Sequence, residues 1–146
     1  MNAVDLLIYS AFAYSFIVGA ISFSLQSELG NPLFFKRCLI ASAISFTLGV
    51  VLELTNAFNL ERGTAIIIMS ISIIYLGYYY LLRMLFIAWK GTEPYITSST
   101  SSIDGKPLNG YWTKYPKNRK VMWEDYLFSF AQGLIPIFTI LALLFF

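Results

Sequence analysis

The sequence predicts an all-α protein: a polytopic integral membrane protein with four transmembrane helices in two antiparallel hairpins. Hydrophobic residues make up 58% of its 146 positions and charged residues only 12%, about half the roughly 25% with which a soluble domain wets its surface. The runs 6–25, 64–82 and 126–146 contain no charged side chain, and each reaches the ~20 residues a helix needs to cross a bilayer. None alternates with the two-residue period of a membrane strand, and each is twice the about ten residues such a strand uses. A helix also satisfies its backbone hydrogen bonds within the segment, as lipid demands.

The helices are expected at about 6–25, 36–58, 64–89 and 124–146, in one membrane domain without internal repeats. The first differs from a secretory signal peptide: Asp5 precedes it without any Lys or Arg, and its apolar run exceeds the roughly 7 to 15 residues of a signal h-region, so it reads as retained. The second follows Lys36 and Arg37 and is interrupted near its far end by Glu53. Asn59, Glu61, Arg62 and Gly63 read as a tight polar turn, which makes spans two and three a helical hairpin.

Basic residues set the orientation. Lys36, Arg37, Arg83, Lys90, Lys106, Lys114, Lys117, Arg119 and Lys120 fall on one side of a four-span topology and Arg62 on the other. The positive-inside rule then puts both termini outside the cytoplasm of a bacterial inner membrane and the basic connections inside. The longest connection, 91–125, is too short for an ordinary independent core. It holds the hydroxyl run 97–102, which reads as linker, and the turn chemistry of Asp104, Gly105, Pro107, Asn109 and Gly110.

Histidine is absent and Cys38 is the only cysteine, which removes histidine-ligated haem or zinc, histidine-based triads and an internal disulfide. With neither a paired carboxylate motif nor a phosphate-cradling glycine loop, the chain reads as non-enzymatic and free of cofactors and metals.

Four groups of residues are candidates for a role. Ala41, Ser45, Gly49 and Ala57 recur with Glu53 at a constant spacing of four, a small-residue stripe suited to close helix packing. Glu53 lies roughly 22 Å along a hydrocarbon core of about 30 Å, near its outer surface. It reads as hydrogen-bonded structure, with an ion or proton role as the competing reading. Gln132, Pro136 and Thr139 share a face of span four, and Pro136 cannot bond the Gln132 carbonyl, which predicts a bend with one freed acceptor. Together with Glu53 they could form a polar path.

The remaining candidates are lipid or partner contacts. Arg83 is expected to snorkel to headgroups along Leu76, Tyr79 and Tyr80. If Trp89 and Lys90 mark the boundary instead, the helix is longer, and Arg83 lies deeper and needs a carbonyl or carboxylate partner. The tyrosines 75, 78, 79 and 80 read as an interfacial belt, with some hydroxyls bonding neighbouring helices. Tyr111, Trp112, Lys114, Tyr115, Lys117, Arg119, Lys120 and Trp123 interleave aromatic and basic chemistry. This suits anionic membrane lipid or a cytosolic protein partner; nucleic acid is disfavoured, because Asp104, Glu124 and Asp125 dilute the charge.

The leading expectation is therefore a small membrane subunit that forms homo-oligomers or joins other membrane subunits, and that anchors or regulates a larger complex through its cytoplasmic loop. The competing expectation is a homo-oligomeric pore or membrane-perturbing protein of the lysis, immunity or antiviral-defence type.

Overall fold

A computed structural model describes residues 3–55, 63–95 and 122–145. The described chain is all-α. Helix α1 (Ala3–Ser24) is followed by a 3-10 turn at Gln26–Gly30, then α2 (Pro32–Leu54), α3 (Thr64–Lys90) and α4 (Trp123–Phe145). All four are long and apolar enough to cross a membrane.

The second helix starts at Pro32 rather than 36 and ends at Leu54 rather than 58. The Asn31 side chain accepts from the amides of Leu33 at 2.9 Å and Phe34 at 3.5 Å. Pro32 follows at the first helical position, where its missing amide costs nothing. Lys36 and Arg37 consequently sit exposed on α2 itself and not in the connection before it. At the other end, the Thr55 amide and hydroxyl both bond the Val51 carbonyl. Helix α3 lies between two left-handed glycines, Gly63 at φ 91° and Gly91 at φ 70°. Gly91 closes the last turn with a bond to the Ile87 carbonyl, in the usual role of a glycine just past a helix.

The helices bury faces that step alternately by three and four residues. On α1 the face is Ile8, Ala11, Ser15, Val18 and Ser22; on α2 it is Cys38, Ser42, Ser45, Gly49 and Leu52. On α3 it is Ala65, Met69, Ser72, Leu76 and Tyr79, with Phe86 beyond. A 3.5-residue repeat keeps one seam facing its neighbours when helices cross with a left-handed twist. The stripe expected on α2 coincides with this seam only in part. A step of four drifts about 40° round a helix, so Ser45 and Gly49 are buried but Ala41 and Glu53 are only half-buried, and Ser42 and Leu52 take their places. Ala57 lies outside the described residues.

Helix α3 is the hub: it packs against α1, α2 and α4, while among the described residues α4 packs on α3 alone. Lipid provides no hydrophobic drive between helices, so close approach and interhelical hydrogen bonds hold such a bundle together. Gly49 supplies the approach, since a Cβ there would stand 2.8 Å from the Met69 Cβ. Ser45 bonds the Met69 carbonyl at 3.0 Å and Tyr14 the Ala41 carbonyl at 3.2 Å. Two apolar clusters result. One joins Ile8, Ala11, Leu52 and Met69; the other joins Leu29, Cys38, Tyr75, Leu76, Tyr79, Phe86 and Phe128 toward the α3–α4 connection. The outer surface is apolar as well, with Phe16 and Leu54 each 78% exposed. A water-soluble monomer rarely tolerates such continuous apolar exposure.

Candidate functional site

The polar chemistry gathers where α3 ends and α4 begins. Asp125 occupies the third position of α4 and is fully buried, at 0% exposure. One carboxylate oxygen accepts the Met122 amide at 2.8 Å, the backward-reaching half of a capping box, and its charge faces the positive end of the helix dipole. The other oxygen accepts the amide of Tyr95 at 2.9 Å, from the strand of chain leaving α3. Tyr95 is itself buried, and the Ser129 hydroxyl bonds the Asp125 carbonyl at 2.9 Å while lying 3.4 Å from the Tyr95 carbonyl. A buried carboxylate is costly unless its oxygens are satisfied; here two amides satisfy them. These amides flank the segment 96–121, so one side chain holds both ends of that excursion together.

Ion pairs reinforce the same end. Arg83 donates from Nε to Glu93 at 2.8 Å, and its Nη2 meets the other Glu93 oxygen, a two-pronged contact. Lys90 pairs with Glu124 across α3 and α4, and its ammonium lies 4.2 Å from the centre of the Trp89 ring. Glu93 is 41% exposed, so that pair guides the chain more than it stabilises it. Of the two expectations for Arg83, the longer α3 with a carboxylate partner is the observed arrangement. The sequence reading missed Glu93 and Asp125. Glu93 gave no signal, because only the turn at Gly91 brings it back onto α3. Asp125 could have been found from its place three residues after the start of an apolar run, although Met122 supplies no capping side chain to complete the pattern.

The proposed polar path does not come together in one chain. Glu53 accepts the amide of Gly63 at 2.7 Å and so ties the end of α2 to the start of α3. Gln132 is fully buried lower down, where its Nε2 donates to the Tyr75 hydroxyl at 2.8 Å. Tyr75 lies about 18 Å from Gly63 along α3. The Tyr75 hydroxyl in turn donates to Gln26 at 3.4 Å, and Gln132 Oε1 meets no partner among the described residues. Thr139 and Tyr78 place their hydroxyls 2.9 Å apart. Pro136 is buried and α4 continues through it as α-helix.

Tyr111, Trp112, Lys114, Tyr115, Lys117, Arg119 and Lys120 lie outside the described residues; Trp123, at 73% exposure, projects from the first turn of α4. No group of three potential metal ligands occurs among the described residues. The fold thus defines a class, an all-α chain with four candidate membrane-spanning helices. No family, characterised protein or solved structure matches the chain.

Proposed function

We propose that this protein is a small non-enzymatic membrane subunit that associates in the bilayer and anchors or regulates a larger complex through the segment 96–121, held on the cytoplasmic side by the basic residues around it. In this reading both termini face away from the cytoplasm and the membrane is a bacterial inner membrane. The observation that carries the proposal is the Asp125 clamp on Tyr95 and Met122. A connection that served only to join α3 to α4 would need no buried carboxylate at its base. Fixing the base of a docking segment lowers the ordering cost that the partner must overcome on binding.

The test is the native mass of the particle extracted in mild detergent, for the full chain and for a chain with 97–120 replaced by a short Gly-Ser linker. The expected particle is larger than 16.6 kDa and loses its partner, but not its self-association, when the segment is replaced. A lone chain would overturn the reading. Stepwise conductance of the purified protein in planar bilayers would replace it with the pore.

A further inference from the structure

Between the two apolar clusters lies a layer of serines. Ser22, Ser42 and Ser72 are buried to 0%, 0% and 1% exposure, on α1, α2 and α3 respectively. Their hydroxyls meet no oxygen or nitrogen partner among the described residues, and the Ser22 hydroxyl lies beside the Cys38 thiol. Register brings them together. Ser45 bonds the Met69 carbonyl across the antiparallel pair α2 and α3, so three steps along each helix set Ser42 alongside Ser72. The Ser72 hydroxyl crosses toward α1 at Gly19, where a Cβ would come within 3.2 Å of it. Ser22 follows one turn along α1 from Gly19, and Cys38 one turn along α2 from Ser42.

An idle serine in a helix has an easy alternative, which is to bond a carbonyl one turn back in its own helix. Ser10, Thr47, Ser70 and Ser129 all do so, at 2.7 to 2.9 Å. Ser22, Ser42 and Ser72 make no such bond, and the Ser72 hydroxyl turns toward α1 instead. Ser42 lies about 15 Å from the start of α2 and about 18 Å from its end, near the middle of a bilayer core. A hydroxyl left unpaired there costs about 1–3 kcal/mol, so three of them brought by register to within about one helical turn of one another call for a common partner.

We propose that Ser22, Ser42 and Ser72 form an internal hydration site near the membrane midplane, occupied by water bonded jointly by the three hydroxyls. The ligand is assigned by chemistry. Each hydroxyl both donates and accepts, no charged side chain belongs to the layer, and a buried water takes two to four such partners. The tight Gly49–Met69 contact closes one side of the layer and Leu76 the other.

Three measurements on the full chain in lipid test the proposal. In the unaltered protein, water-edited solid-state NMR is expected to show polarisation transfer from water to Ser42 and Ser72 but not to Met69. Ser42→Ala and Ser72→Ala are each expected to lower the unfolding midpoint by about 3 °C, and together by less than the sum, since they share one water. In a Cys38→Ala background, Ser42→Cys should react with a small permeant methanethiosulfonate and Met69→Cys should not. Absence of water transfer to both serines overturns the proposal. So does an unchanged or raised midpoint in both alanine variants, or a Ser42→Cys thiol as inert as Met69→Cys.

Discussion

The Asp125 carboxylate and the Tyr95 amide stand 2.9 Å apart although 30 positions of sequence separate them. The bond is buried, and the second carboxylate oxygen is committed to Met122. Asp125→Asn offers one acceptor where two amides require one each, and turns an NH2 group toward the other. We expect a loss of about 1–3 kcal/mol, together with faster hydrogen exchange at the Tyr95 and Met122 amides. Unchanged protection at both would refute the clamp.

Gly49 gives a second prediction. Alanine there would bring two carbons to 2.8 Å, and the backbones of α2 and α3 would have to separate. A loss of about 1–3 kcal/mol is expected, read as a lower midpoint in denaturant titration. Gly133→Ala is the control, because its Cβ meets nothing within 4 Å; equal losses in both would show that helix contact is not the cause.

Glu53 is predicted to act as an acceptor and not as a charge. Glu53→Gln keeps an oxygen for the Gly63 amide and should leave stability within about 0.5 kcal/mol of the original. Glu53→Ala removes it and should cost about 1 kcal/mol. Equal destabilisation by Gln and Ala would mean that the charge itself matters.

Tyr75 and Gln132 are coupled. Tyr75→Phe strips the buried Gln132 amide of the hydroxyl that accepts from it across the helix interface and should cost about 1–3 kcal/mol. Adding Gln132→Leu removes the stranded amide, so the double variant should be no less stable than Tyr75→Phe alone. A double-mutant cycle with strictly additive losses would count against the pair.

Much of the fold was legible because lipid imposes so few solutions. Three uncharged runs of about 20 residues and a fourth apolar block broken only by Glu53 predicted four helices, and four helices long and apolar enough to span a membrane are found; the polar turn expected at Asn59, Glu61 and Arg62 lies outside the described residues. The start of α2 differs from the expected one because Lys36 and Arg37 suggest a boundary, whereas Asn31 and Pro32 carry the stronger local signal. The packing face of α2 was half legible. A single helix gives no hint of the crossing direction, and only a partner decides between a row of fours and a seam of alternating threes and fours. The loop base was illegible for a similar reason. Asp125 and Tyr95 meet through tertiary folding, and the sequence places nothing between them that signals a bond.

One consequence concerns how α4 is mounted. Among the described residues it leans on a single neighbour, α3, and its first turn is tied by Asp125 to the chain leaving that neighbour. Tension on the segment 96–121 is thus delivered to the head of α4 rather than dissipated in slack chain. Because no second helix braces it among the described residues, α4 is the part of the bundle that such a pull would tilt first, which gives an event at this end of the bundle a mechanical route to the other end.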